Sequence, residues 1–129
     1  MVVNKKTKVR AGVVIIALSI FLILISQNQT VNVLYFINPN CELINQTDSL
    51  MEDLKKDFGD RINIQEINVK MYDNDLPDTE YIKQLREKYH VYGVPEIVIN
   101  GKEFTGQFTK DNLKKQICYN FLIKPEVCK

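Results

Sequence analysis

Residues 31–44 read VNVLYFINPNCELI, an apolar run that breaks at Asn38-Pro39-Asn40 and delivers Cys41 to the beginning of an amphipathic segment. Val31, Val33, Tyr35 and Ile37 alternate with Asn32, Leu34 and Phe36, so both faces are largely apolar, the pattern of a central strand covered on both sides. Pro39 ends it, because its ring fixes φ and removes an amide hydrogen. From Leu43 onward, Thr47, Leu50, Met51, Leu54 and Phe58 return at helical spacing and keep one face toward a core. The order is strand, short loop, cysteine, helix, with one thiol at the head of the helix. The partial positive charge there favours a thiolate, the form that attacks disulfides. Glu42 opposes it, since a neighbouring negative charge disfavours a second anion.

Downstream, Gly59-Asp60 stops the helix and residues 61–70 (RINIQEINVK) form a second strand. Its alternation slips at Gln65-Glu66, which predicts a bulge or a strand end. Residues 71–78 (MYDNDLPD) form a solvated connection. Asp73 and Asp75 have the opening spacing of a calcium loop, but the required glycine is missing and Gln84 stands where the closing glutamate would be. Asp78 or Thr79 caps a second helix over 79–90, with Ile82, Leu85 and Tyr89 turned toward the sheet. His90, the sole histidine, lies where that helix runs out and is assigned no catalysis. In VYGVPEIVING (91–101), Pro95 must open a strand, because a central strand cannot spare an amide. Asn100-Gly101 predicts a type I′ hairpin pairing Ile97, Val98 and Ile99 with Lys102, Glu103 and Phe104. Thr109 caps a last helix over about 110–121, with Leu113, Ile117 and Phe121 inward.

Upstream, Lys5, Lys6, Lys8 and Arg10 precede sixteen uncharged residues, 11–26. At the helical rise these span roughly 24 Å, somewhat short of a bilayer's hydrocarbon core. An uncleaved anchor is favoured over a cleaved signal peptide, because the junction lacks the small-x-small pattern that signal peptidase prefers. The basic residues lie before the apolar run, so the positive-inside rule keeps the N-terminus cytoplasmic and the rest of the chain outside a cell membrane crossed once. Without those four charges, 13 basic residues face 16 acidic ones, a formal charge of −3. No basic patch suggests nucleic acid. Sequons occur at Asn28 and at Asn45, the second on a predicted helix.

An exported domain sits where disulfides persist. Of the three cysteines, Cys118 and Cys128 close together in sequence form a disulfide at the end of the last helix, and Cys41 is left over. Three cysteines without C-x-x-C, and one histidine, make no zinc set. No metal or other cofactor is expected.

The segment that carries Cys41 resembles the active-site segment of the thioredoxin-like superfamily, where a strand and a short loop lead to C-x-x-C at a helix start. Here the motif is Cys41-Glu42-Leu43-Ile44, C-x-x-I, with Ile44 in the place of the resolving cysteine. Tyr89-x-Val91-x-Gly93-Val94-Pro95 followed by a hairpin is similar to that superfamily's cis-proline loop. The resemblance covers about 31–121. It implies an α/β fold with a central mixed sheet flanked by helices. Together with the charge and hydropathy of the upstream segment, this divides the chain into 1–27, a cytoplasmic basic segment and transmembrane anchor (or signal peptide), and 28–129, the thioredoxin-like domain. The resemblance also implies that Val94 and Pro95 lie against Cys41 and dock an extended substrate peptide, and that Glu96 brings a carboxylate near them.

The expected function is monothiol thiol-disulfide exchange or isomerisation through Cys41, outside the membrane. Its partners are protein or peptide thiols and disulfides and a membrane redox partner. The alternative is a redox-inactive peptide- or protein-binding module with the same groove, in which Cys41 is inert.

Overall fold

A computed structural model describes residues 5–27 and 29–129, with side chains for 12–25 and 29–129. The basic side chains at 5, 6, 8 and 10 and the sequon asparagine at 28 lie outside the described residues.

The elements follow in the order α1 (Lys5–Gln27), β1 (Val31–Ile37), α2 (Ile44–Phe58), β2 (Ile62–Asn68), α3 (Glu80–Lys88), β3 (Glu96–Ile99), β4 (Lys102–Glu103) and α4 (Lys110–Cys118). The four strands make one mixed sheet in the order β2-β1-β3-β4. β1 runs parallel to β2 and antiparallel to β3. Being central, β1 is covered on both faces, as its double apolar character requires. Val31, Val33, Tyr35 and Ile37 pack with Met51, Leu54 and Phe58 of α2 and Leu113 and Ile117 of α4. Phe36 joins Ile67, Val69, Val91 and Val98 on the other face, closed by Ile82 and Leu85 of α3. Three layers result.

No bulge interrupts β2, which pairs residue for residue with β1 from Val31↔Ile62 to Ile37↔Asn68. The slip in its alternation has a different cause. Ile62 and Ile64 pack on the α2 face and Ile67 on the α3 face, so cover passes from one side of this edge strand to the other along its length. At the hairpin, Asn100 and Gly101 both have positive φ (47° and 78°), the type I′ requirement. Ile99 pairs with Lys102, and Phe104 N donates to Ile97 O at 2.8 Å.

The helix ends differ from expectation in detail. Thr79 is the cap of α3, its hydroxyl oxygen accepting from Ile82 N at 3.3 Å. Asp78 instead binds Arg86, Oδ2 to Nη1 at 2.7 Å. α4 stops at Cys118, three residues before Phe121, whose ring stacks on Phe58 with centroids 6.1 Å apart. Cys118 and Cys128 are disulfide-bonded across a separation of 10 residues.

α1 is a 23-residue helix, and the apolar side chains described on it, such as Val13, Leu18, Phe21 and Ile25, are all exposed. Among the described residues, no helix is long and apolar enough to cross a membrane.

Candidate active site

The thiol is positioned by a polar turn. Asn38, only 2% exposed, follows the last residue of β1 and bends the chain: its Oδ1 accepts from Asn40 N at 2.8 Å and its main-chain oxygen from Cys41 N at 3.0 Å. Such an Asx turn is the local reason for an asparagine before Pro39. The other end of the same side chain reaches across the fold, Nδ2 donating to Val69 O at 2.8 Å and to Asp75 Oδ2 at 2.7 Å. Asp75 also accepts from Asn40 Nδ2 at 2.8 Å, Met71 N at 2.9 Å and Tyr72 N at 2.7 Å. Those donors, the Met71 and Tyr72 amides foremost, hold the Asp75 carboxyl down at about 2. The aspartate-rich connection read as merely solvated therefore clamps the cysteine loop. Thirty-seven residues separate Asn38 from Asp75, and no local pattern could announce the pair.

Cys41 lies in the turn before α2, not in its first turn. The helix begins at Ile44, whose N donates to Cys41 O at 3.1 Å, and its cap residue, Leu43, makes no side-chain capping bond. A dipole effect fades within the first turn, so the helix supports the sulfur less than a cysteine at its head would imply. Cys41 is half-buried and free. Its Sγ lies 4.0 Å from Val94 O, and the Val94-Pro95 peptide is cis. Together with Tyr35, Ile37, Asn38, Ile44, Val94 and Pro95, Cys41 lines a space too small to admit a water molecule.

Cys41, Val94 and Pro95, distant in sequence, thus meet, and Ile44 stands beside them. Glu42 is exposed. Glu96 is half-buried and does not line the space around the sulfur. In register with Phe36, it sits on the α3 side of the sheet, where burial first and Glu103 second push its carboxyl up. Beneath the site, Tyr35 donates its hydroxyl to Asp48 Oδ1 at 2.8 Å, and burial pushes its phenol upward. Cys118 and Cys128 are elsewhere. They sit at the end of α4, which Gln29 ties to the start of β1: Gln29 Nε2 donates to Asn120 O at 2.8 Å, and Leu122 N donates to Gln29 Oε1 at 2.9 Å. The length of β1, roughly 20 Å at the strand rise, lies between them and Cys41. Among the described residues no group of side chains could hold a metal ion.

A mutant thioredoxin from Halobacterium salinarum superposes with a TM-score of 0.53 at 20% identity, covering 75% of this chain and 80% of its own. Tryparedoxin II from C. fasciculata gives 0.52 at 17% identity, over 82% and 84%. The fold is thioredoxin-like. A malarial protein of the same shape matches at 0.52 and 22% identity, over 74% of this chain and all of its own. No family model and no curated protein matches the sequence. In this thioredoxin-like chain, then, the mixed sheet is the one that the sequence resemblance implied, and the structure brings Cys41 to the loop before β3.

Proposed function

We propose that this chain is a membrane-anchored, extracytoplasmic thioredoxin-like protein that carries out monothiol thiol-disulfide exchange through Cys41. The observation that carries the reading is the approach of Cys41 Sγ to within 4.0 Å of Val94 O, beside Pro95. An extended peptide hydrogen-bonding to the main chain at Val94 would lay its disulfide over the sulfur. The Cys41 thiolate then attacks one substrate sulfur and the substrate S–S bond breaks. The departing sulfur leaves as a thiolate and takes up a proton, and a mixed disulfide remains on Cys41. With Ile44 adjacent and both other cysteines bonded to each other at the far end of β1, release requires a thiol from the substrate or a small thiol. Attack by a substrate thiol returns Cys41 reduced and changes only the pairing of the substrate, so isomerisation needs no external electrons. Anchoring rests on the exposed apolar side chains of α1 and on the basic residues that precede them in sequence.

The close packing around Cys41, with no internal space for a second reactant, favours a second reading in which the groove beside Val94 and Pro95 binds peptides without redox turnover. One experiment separates them. The full chain in detergent micelles is incubated with glutathione disulfide and mapped by peptide mass, then assayed for reactivation of scrambled ribonuclease. Exchange requires a glutathione adduct on Cys41 and reactivation that Cys41→Ser abolishes while its melting temperature stays unchanged. A folded protein whose Cys41 forms no adduct leaves the binding module standing.

A further inference from the structure

The end of the domain remote from Cys41 presents a surface that the exchange reading does not use. Beyond α4, the hook of residues 121–129 is pinned by the Cys118–Cys128 bond, and its tip exposes Leu122 (82%) and Ile123 (53%), with Tyr119 beside them (64%). Exposed leucine and isoleucine at the tip of a pinned loop, next to a tyrosine with an apolar body and a polar end, are the elements of an interfacial contact. A cleft of about 330 Å³ adjoins the tip, lined by Lys114, Lys115, Lys124 and Lys129 with Asp111 as the acid. Lys129 is paired to Glu126 at 2.6 Å, and Lys124 stands over the Tyr119 ring at 5.8 Å. Lys114, Lys115 and Lys124 remain to meet anions, although the exported part as a whole is acidic.

Chain continuity says what covers this surface. Gln29, which holds Asn120 O and Leu122 N, is two residues beyond the end of α1 at Gln27. Two residues reach at most about 7 Å, and the Gln29 side chain then holds Leu122 N at 2.9 Å, so the Leu122 tip lies near the point where α1 would enter a bilayer. We propose that this hook is a second membrane contact: Leu122 and Ile123 insert at the acyl boundary, and Lys114, Lys115 and Lys124 bind anionic phospholipid headgroups. The contact rests on the anchoring proposed above and adds an orientation to it. With the hook down, β1 stands away from the bilayer and holds Cys41 at the outer pole, facing soluble substrates.

The chain has no tryptophan, which supplies the probe. Full-length Leu122→Trp and, as the outer-pole control, Leu76→Trp (Leu76 is 88% exposed) are reconstituted into phosphatidylcholine vesicles with and without phosphatidylglycerol. Each preparation is floated on a density gradient, and quenching by brominated phospholipid is then measured. The contact predicts that both variants float, that only the tryptophan of Leu122→Trp is blue-shifted and quenched, and that phosphatidylglycerol deepens its quenching. Adding Lys124→Gln should lower the docked-to-undocked ratio about fivefold, the effect expected of one lysine at an anionic surface. Chains that do not float overturn the anchor and the contact together. If they float while the tryptophan of Leu122→Trp is quenched no more than that of Leu76→Trp, the anchor stands and the hook contact falls. A blue shift without quenching means that protein covers the hook, which also overturns the contact. Quenching indifferent to phosphatidylglycerol and to Lys124→Gln overturns the headgroup assignment.

Discussion

The two ends of β1 are secured by different chemistry. At the Cys41 end, a buried asparagine and one carboxylate gather the loop through hydrogen bonds from Asn38, Asn40, Met71 and Tyr72. At the other end, a disulfide, the Phe58–Phe121 stack and the two hydrogen bonds of Gln29 fasten the tail to the start of the sheet. On the exchange function proposed above, the contrast follows from what each end must tolerate. A covalent cross-link beside a thiol that exchanges disulfides would itself be open to exchange, whereas hydrogen bonds place the sulfur without offering it a second disulfide. The remote end has no such conflict, and its cross-link restrains a tail that buries little of its own surface.

The largest effect should come from removing the hub of the polar end. Asn38→Ala leaves Asp75 without a buried donor, Val69 O without a partner and the turn into Cys41 without its Asx bond. It should cost about 3 kcal/mol, since one of the lost bonds is to a charge and buried acceptors are stranded. A denaturant titration reads it, and reactivity at Cys41 should fall with it. A loss under about 1 kcal/mol would mean that the loop holds its shape without the clamp.

Opening the covalent end comes next. Cys118→Ser with Cys128→Ser should lower stability by about 2 to 3 kcal/mol on the chain-entropy account of a short loop, and should leave the rate of Cys41 adduct formation unchanged. If that rate falls as well, the two ends are coupled through the sheet and the contrast drawn above fails.

Acid should distinguish the ends in the opposite sense. The folded-state value of Asp75, about 2, lies below its ordinary 3.8, so its contribution is fully present above pH 3.8 and is lost as pH falls through about 2. The denaturation midpoint of the native chain should therefore exceed that of Asp75→Asn above pH 3.8, and the gap should close toward pH 2. A gap that stays constant would show that the carboxylate's charge is not what holds the loop.

The smallest effect concerns Glu96. Burial raises its carboxyl, so keeping it ionised in the fold costs stability at neutral pH, and that cost is relieved as pH falls through its raised value. Glu96→Gln should raise the denaturation midpoint slightly at pH 7 and leave it unchanged in acid. A lower midpoint at pH 7 would assign Glu96 a charge interaction absent from the structure.

Most of this architecture was legible because it is written in short-range patterns. The two-sided apolar strand, the helix faces, the proline opening β3 and the Asn100-Gly101 turn each depend on neighbours within a few residues, where side-chain alternation and allowed φ values decide the outcome. The resemblance of two such stretches also anticipated that Cys41 would meet Val94. What misled was the same locality. The slip in β2 looked like a bulge, because sequence cannot say that one edge strand is covered first by α2 and then by α3. Cys41 was read at the head of a helix that begins three residues later, after a turn of its own.

By itself, the sequence determined the order of the elements, the membership of the core and the identity of the lone thiol, since burial of apolar faces leaves few arrangements for such a pattern. Only the tertiary structure decided what surrounds that thiol. The Asn38–Asp75 clamp, the packing of Val94 and Pro95 against the sulfur, and the closeness of Leu122 to the end of α1 join residues far apart along the chain, and such contacts arise from how layers stack rather than from any local preference.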